Sequence, residues 1–180
     1  MSTAQDLEKK IKNQLEVLKR IDAYIGTTNT KCTILMSYCA AATAFIFTLL
    51  AKLDFSTVSI ALMVEIGVFS VLALSLALWS MVLATITIFP VTFSRPDAYQ
   101  GGSLIFYGDI SSCGRAGEYS DKVNNSSDAE FLEDLNEQVY TLASIASKKF
   151  ARIQFATVVL VLHFWCMAAV LIGAVIYYLF

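Results

Sequence analysis

Three long apolar segments limit what this chain can fold into. They run from Cys32 to Leu53, from Ser56 to Phe89 and from Phe155 to Phe180. Each exceeds the roughly 18–20 apolar residues that cross a ~30 Å hydrocarbon layer as a helix. Charged residues make up only 16% of the 180 residues, against about 25% in a typical soluble domain. The sequence therefore predicts an all-α integral membrane protein with three transmembrane helices and a cytoplasmic helical region.

The apolar segments divide the chain into five parts. We expect a cytoplasmic amphipathic helix over residues 1–30, transmembrane helices over 31–53, 56–79 and 155–180, and a cytoplasmic loop and helix over 90–154. The second transmembrane helix is expected to extend into the cytoplasm as far as residue 89, because a helix over the whole apolar run would be about 50 Å long. Pro90 and Pro96 are expected to end it.

The basic residues predict the orientation in the membrane. Of the 13 Lys and Arg residues, only Lys52 lies outside two regions, the segment before the first span and the segment between the second and third. Lys and Arg near the ends of spans favour the cytoplasmic side. We therefore expect the N-terminus and the central loop in the cytoplasm and the C-terminus on the opposite side.

The first 28 residues have the pattern of an amphipathic helix. Apolar residues recur every seventh position, with two more in the same stripe and a polar exception at Gln14; these apolar residues are Ala4, Leu7, Ile11, Leu18, Ile21 and Ile25. Such a stripe packs on the protein's own helices, on a second copy or on the bilayer surface. We favour packing within the protein.

A second helix start lies before the third span. Ser127 followed by Glu130 is a capping-box pattern, in which each side chain bonds to the other residue's backbone N–H. No strong helix breaker follows, since membrane helices tolerate Gly173. One long helix, cytoplasmic in its first part and membrane-spanning in the rest, is predicted from Ser127 to the chain end.

Two ionisable residues, Glu65 and His163, lie inside the spans near the expected bilayer midplane. Because such groups are costly in lipid, they usually face a partner or a water-filled path. One interpretation is an intramembrane polar pair, within one chain or between copies. The alternative is a protonated, locally bonded Glu65 and a neutral packing His163.

Several classes of function are disfavoured by what the sequence contains. No phosphate-binding Walker loop, nucleotide-fold glycine signature or metal-spaced His/Cys set occurs. The only histidine lies in a span, which argues against a hydrolytic triad, and a net charge of −2 argues against nucleic-acid binding. We therefore expect no enzyme, no cofactor, no metal site and no nucleic-acid partner.

The central loop mixes aromatic and basic residues, namely Tyr99, Phe106, Tyr107 and Tyr119 with Arg95, Arg115 and Lys122. Aromatic rings stack nucleobases, and Arg forks onto phosphate. The same residues also suit a small core with a solvated rim. Composition alone leaves both interpretations open.

Three stretches of the sequence form a recognisable set. They are Asn29-Thr30-Lys31-Cys32-Thr33-Ile34-Leu35, Phe106-Tyr107-Gly108-Asp109-Ile110 with Tyr119, and Glu137-Gln138-Val139-Tyr140 through Lys148-Lys149-Phe150. In this order and spacing they resemble the membrane-type effectors of the bacterial Pycsar antiphage system. The similarity covers most of the chain. Asn29 departs from the family pattern, in which an acidic residue is common at that position, and Cys32 stands where alanine is common.

The resemblance implies a defence function. A neighbouring cyclase would make cyclic CMP or cyclic UMP on infection, and this ligand would activate the effector, which impairs the bacterial inner membrane and kills the cell before phage release. In a bacterial inner membrane, the orientation expected from the basic residues puts the C-terminus in the periplasm. The chain is also expected to form a homo-oligomer in the lipid bilayer. The ligand-binding residues that we predict are Arg95, Phe106, Tyr107, Asp109, Arg115, Tyr119 and Lys148.

Two other functions are compatible with the sequence. One is a membrane effector with a different trigger, such as a cyclic oligonucleotide or a partner protein. The other is a non-signalling membrane scaffold or transporter subunit.

Overall fold

The computed structural model describes residues 2–54, 59–90 and 102–179, with the side chains of residues 2 and 3 left aside. Within these ranges the chain forms five helices and no strand. They are α1 (Ser2–Leu50), α2 (Ile60–Ile88), α3 (Tyr107–Ser112), α4 (Ala116–Asn125) and α5 (Asp128–Leu179). Three of them, α1, α2 and α5, are long and apolar enough to span a membrane. The predicted fold class, an all-α membrane protein with three spans, is confirmed.

Two compact units make up the chain. The first, which we call the polar unit, comprises residues 1–26 and 90–148; the second, the membrane unit, comprises residues 27–89 and 149–180. The boundaries at 26/27 and 148/149 fall inside α1 and α5, so each of these helices contributes to both units. The amphipathic N-terminal segment and the first span therefore form one unbroken helix.

The buried face of α2 consists almost entirely of small residues. Its buried positions follow a three-and-four spacing, the repeat of one helix face; they are Ile66, Ser70, Ala73, Ala77, Ser80, Ala84 and Thr87. Small side chains let helix backbones approach closely in lipid, where no hydrophobic effect drives association. Ala77 and Ala84 pack in one cluster with residues of α1 and α5, which are Cys32, Leu35, Cys39, Ile153 and Ala156.

Gly173 of α5 marks a second close approach to α2. A Cβ atom built at this glycine would lie only 2.8 Å from Cγ1 of Ile66, which real Cβ atoms do not tolerate. The absence of a side chain at position 173 thus lets α5 lie against the apolar end of the α2 face.

The C-terminal end of α2 is completed by a lysine of another helix. Lys149 of α5 is only 6% exposed, and its Nζ donates to the carbonyl oxygens of Thr87 and Ile88 and to Oδ1 of Asn29 at 3.2 Å. The last carbonyls of a helix lack partners within it and carry partial negative charge, so an ammonium group suits this place. Burial lowers the pKa of Lys149 below its ordinary value.

The amphipathic stripe of α1 packs within the polar unit. Leu7, Ile11, Leu18, Ile21 and Ile25 are all partly buried, and Gln14 lies in the same stripe and is also partly buried, whereas Ala4 is exposed. Packing within the protein, the interpretation we favoured, is what the structure shows for this segment.

The start of α5 has the predicted capping box. The Ser127 backbone N–H donates to Oε2 of Glu130 at 2.7 Å, and the Glu130 N–H donates to the Ser127 hydroxyl at 3.3 Å. The Ser127 backbone N–H, and next the Ser127 hydroxyl, which lies 2.8 Å from Oε2, hold the pKa of the Glu130 carboxyl below its usual value. The helix accordingly begins at Asp128 and continues to Leu179.

Candidate functional site

The predicted aromatic loop forms a short, tightly bonded segment ahead of α3. Phe106 precedes the helix and is partly buried, while Tyr107 begins it and is 60% exposed. The two rings lie with their centroids 4.9 Å apart at an angle of 51°. An exposed ring beside a partly buried one offers a stacking surface at the protein boundary.

Asp109 fixes the entry to this segment rather than pointing at solvent. Its Oδ2 accepts the Ser103 backbone N–H at 2.7 Å. Gly102, which immediately precedes Ser103, has a φ of +76°, in the left-handed region that favours glycine. Asp109 therefore closes a turn in which the chain reverses before α3.

Ser103 is the centre of the bonding in this segment. Its hydroxyl oxygen accepts the backbone N–H groups of Ile105 and Phe106 at 3.1 and 2.9 Å and the side-chain amide of Gln138 at 3.1 Å. Because Gln138 belongs to α5, this last bond attaches the aromatic segment to the long helix.

Leu104 is attached at both of its backbone groups. Its N–H donates to Oδ2 of Asp134 at 2.8 Å, and its carbonyl oxygen accepts the Tyr119 hydroxyl at 3.0 Å. Asp134 is only 6% exposed. The predicted site residue Tyr119 thus holds the segment from α4, while Asp134 holds it from α5.

A cleft of about 300 Å³ opens between α1, the aromatic segment and α5. We call it the aromatic cleft; its lining is Leu18, Asp22, Ile105, Phe106, Tyr107, Gln138, Thr141, Leu142 and Ile145. The volume is at the lower end of the range of about 300–1,000 Å³ that small-molecule sites occupy. Apolar walls, two aromatic rings and a few polar groups are the usual composition of such a site.

A smaller cavity of about 190 Å³ lies beside α4. Its polar lining includes Lys122, Glu130 and Asp134. Lys122 also contacts Glu118 at 3.9 Å and the Cys113 sulfur at 3.7 Å. Asp134 is already bonded to the aromatic segment. This cavity therefore offers a ligand fewer polar groups that are not already bonded within the protein than the aromatic cleft does.

The predicted ligand-binding residues fall into three groups. Phe106 and Tyr107 line the aromatic cleft, whereas Asp109 and Tyr119 make the internal hydrogen bonds described above. Arg115 and Lys148 are exposed outside the cleft lining, and Lys148 follows the lining residue Ile145 by one helical turn. Arg95 lies outside the described residues.

Within one chain, Glu65 and His163 do not form a pair. His163 is fully buried, and its Nδ1 lies 2.9 Å from the carbonyl oxygen of Ala73. Ala73 follows Glu65 by eight residues on α2, about 12 Å along the helix axis. Among the described residues there is no hydrogen bond or salt bridge between the two. A pair between copies of the chain stays a prediction.

The comparison with known families decides the identity. The model of the Pycsar effector protein domain matches residues 13–177, which is most of the chain. The chain belongs to the Pycsar effector family. No curated protein and no solved structure matches it significantly.

Membership of the Pycsar effector family assigns the protein a role in the Pycsar antiphage system, as a membrane protein of a transmembrane effector family. It confirms the resemblance that the three sequence stretches indicated. The family match names no ligand contacts, so the aromatic cleft stands on its geometry.

Sequence reasoning did not select three residues that organise the Pycsar effector's aromatic segment, namely Ser103, Asp134 and Gln138. A signal for two of them was present, because Asp134 and Gln138 are spaced four residues apart, in phase with the lining residues Thr141 and Ile145 of α5. Polar residues in phase with a packed helix face indicate buried hydrogen bonds.

Proposed function

We propose that a cyclic pyrimidine mononucleotide, cyclic CMP or cyclic UMP made by a partner cyclase, binds the aromatic cleft and activates the effector. The activated membrane unit then impairs the bacterial inner membrane and kills the infected cell before phage release. Family membership supports the defence role. The observation that carries the ligand proposal is the presence of Phe106 and Tyr107 in a cleft of ligand size.

The chemistry of the cleft suits a pyrimidine ring. Aromatic side chains stack bases, each stacked base contributing about 1–3 kcal/mol. Asp22, Gln138 and Thr141 supply carboxylate, amide and hydroxyl groups at the cleft wall for the polar edge of the base. Lys148, one turn beyond Ile145, is the basic residue that we assign to the cyclic phosphate.

The charge distribution supports placing the polar unit in the cytoplasm, where a cyclase product would be released. All Lys and Arg residues except Lys52 lie in the N-terminal segment or between the second and third spans. The positive-inside preference then puts the cleft on the cytoplasmic side and the C-terminus in the periplasm.

Activation in this proposal is carried out by a homo-oligomer. Moving a two-state switch from about 1:99 to 99:1 needs roughly 5.5 kcal/mol of differential ligand binding. A small cleft supplies that energy more readily when several subunits, each with its own ligand, change state together.

Binding is tested by calorimetric titration of the purified chain in detergent with cyclic CMP, cyclic UMP and, as a purine control, cyclic GMP. Tyr107→Ala should weaken binding about 10-fold or more, since it removes a stacking ring. Tyr140→Ala is the matched control, because Tyr140 is 64% exposed on α5 and outside the cleft lining. Unchanged affinity in Tyr107→Ala, in a folded protein, would reject the aromatic cleft as the site.

Membrane impairment is tested with liposomes that carry the effector and a trapped dye. Addition of the bound nucleotide should release the dye, and Tyr107→Ala should shift the response to higher concentrations. If every cyclic pyrimidine nucleotide leaves the dye trapped, the proposed trigger is wrong.

A further inference from the structure

Three buried side chains connect α2 and α5 by hydrogen bonds at regular intervals. The Ser80 hydroxyl donates to the Ala156 carbonyl oxygen at 3.1 Å. Nδ1 of His163 bonds to the Ala73 carbonyl oxygen. Lys149 Nζ donates to the Thr87 carbonyl oxygen. All three donor residues are at least nine-tenths buried.

The spacing of these bonds is the same on both helices. On α2 the bonded positions are 73, 80 and 87, and on α5 they are 149, 156 and 163. Each step is seven residues, two helical turns and about 10.5 Å. The pairs therefore lie along one antiparallel seam, which we call the polar ladder.

The direction of donation alternates along the polar ladder. Lys149 and His163 donate from α5 to carbonyl groups of α2, whereas Ser80 donates from α2 to α5. A carbonyl oxygen only accepts, so His163 must carry its proton on Nδ1. Donors on both helices fix the rotation of each helix as well as the sliding of one along the other.

The three donors are buried within the packed helices. A buried side-chain donor that loses its acceptor is costly, so each bond of the ladder favours the register in which it forms. A slide of α5 by one turn along α2 would break all three bonds together. The three bonds would therefore be lost and regained together.

We propose that Ser80, His163 and Lys149 form a register lock between α2 and α5, and that the membrane unit impairs the bilayer only after this lock opens. The second part rests on the proposed function; the first part does not. The three residues are positioning residues, since they hold the helices and touch no ligand.

The lock itself is tested by cross-linking. Ile66→Cys with Gly173→Cys, in a background whose four native cysteines are replaced by alanine, places two thiols at a close approach of α2 and α5. Oxidation should cross-link the pair efficiently in the closed register. Ser80→Ala, His163→Leu and Lys149→Met should each lower the cross-linking rate, whereas His163→Gln, which keeps a donor, should leave it close to that of the parent.

The control for the lost hydroxyl is Ser75→Ala. Ser75 is exposed on α2 and donates to the Val71 carbonyl of its own helix at 2.8 Å. This substitution removes a hydroxyl from the same helix without touching the ladder, and its cross-linking rate should equal that of the parent. Equal rates in all ladder variants and in Ser75→Ala would overturn the lock, whether or not the protein responds to nucleotide.

The role of the lock in activation is tested by dye release without nucleotide. Each lost bond should raise spontaneous release about fivefold, the factor expected for one net hydrogen bond. The oxidised 66–173 cross-link should abolish nucleotide-induced release, and a reductant should restore it. A cross-linked protein that still responds fully would overturn the requirement for opening, while nucleotide binding measured by calorimetry would report on the proposed function separately.

Discussion

The two units use buried and partly buried polar side chains in different ways. In the membrane unit, Ser80, His163 and Lys149 act as donors to backbone carbonyls of a neighbouring helix. In the polar unit, Ser103, Asp109 and Asp134 accept backbone N–H groups of the segment ahead of α3.

The difference follows from which backbone groups can still form a hydrogen bond after those within their own segment are made. Inside a long helix every N–H is used, but each carbonyl oxygen keeps a second lone pair. In an irregular segment the N–H groups have no partner of their own and need an acceptor when buried. In these two places the side chains therefore match the backbone groups opposite them: the donors face helix carbonyls, and the acceptors face the N–H groups of an irregular segment.

The largest effect is expected from removing an acceptor in the polar unit. Asp134→Leu leaves the Leu104 N–H without a partner and should lower the free energy of unfolding by about 2–3 kcal/mol. Chemical unfolding in detergent measures the loss, and hydrogen exchange should show faster exchange of the Leu104 amide. Glu133→Leu, at the exposed neighbouring position, is the control, and Asp134→Asn should lose less. A loss in Glu133→Leu equal to that in Asp134→Leu would contradict the assigned bond.

A new acceptor beside a donor of the membrane unit should stabilise it. Asn29→Asp gives Lys149 a carboxylate where the amide oxygen lies 3.2 Å from Nζ, which should add about 1–2 kcal/mol to the free energy of unfolding at neutral pH. A variant less stable than the parent at pH 7 would contradict this expectation.

The same variant should change the pH dependence. Burial lowers the native pKa of Lys149 below its ordinary value of 10.5. The unfolded chain then binds more protons between the two pKa values, so the stability of the parent should rise as pH rises through the lowered pKa. Asn29→Asp should raise that pKa and flatten the rise, and Lys149→Met should remove the Lys149 contribution. Unfolding curves from pH 7 to 10.5 test this.

One substitution should have opposite signs in the two units. Gly173→Ala places a Cβ 2.8 Å from Ile66 Cγ1 and should cost about 1 kcal/mol through overpacking. Gly26→Ala meets nothing within 4 Å and should gain about 0.5–1 kcal/mol, because alanine favours the helix. Thermal unfolding of both variants in one detergent makes the comparison. Effects of the same sign would show that close packing at Gly173 is not the deciding factor.

The smallest effect is expected at the start of α5. Ser127→Ala removes the capping hydroxyl and should cost about 0.5–1 kcal/mol. Glu130 has a lowered native pKa, so its contribution is complete above its ordinary pKa of 4.5 and is lost as pH falls through the lowered value. Acid titration of stability should therefore be flatter in Ser127→Ala. An unchanged titration would assign the lowered pKa to the Ser127 backbone N–H, which this substitution keeps.

Local sequence patterns predicted the helices well. Long apolar runs predicted the three spans, and the pair Ser127 and Glu130 predicted the start of α5 within one residue. These features depend on neighbours in sequence. By contrast, Asp134 bonds to a residue 30 positions away and Gln138 to one 35 positions away. Their spacing indicates that they lie on the packed face of α5, but it does not encode which distant residue each one contacts.

The intramembrane residues show the same limit. Counting residues placed Glu65 and His163 at similar depth, yet it gives neither the direction in which a side chain points nor the relative register of two helices. His163 lies opposite Ala73, two turns from Glu65.

The candidate site could be predicted only in part. Phe106 and Tyr107 were identified by their residue type. The cleft that they line also needs α1 and α5, which are distant in sequence.

The bond between Lys149 and the C-terminal carbonyl groups of α2 has a consequence for the order in which contacts form during synthesis. The last carbonyl groups of α2 receive their ammonium partner from a residue 62 positions later in the chain. When the ribosome has delivered the first two spans to the membrane, that partner has not yet been synthesised. The last carbonyl groups of α2 therefore gain this partner only after the N-terminal part of α5 has been made.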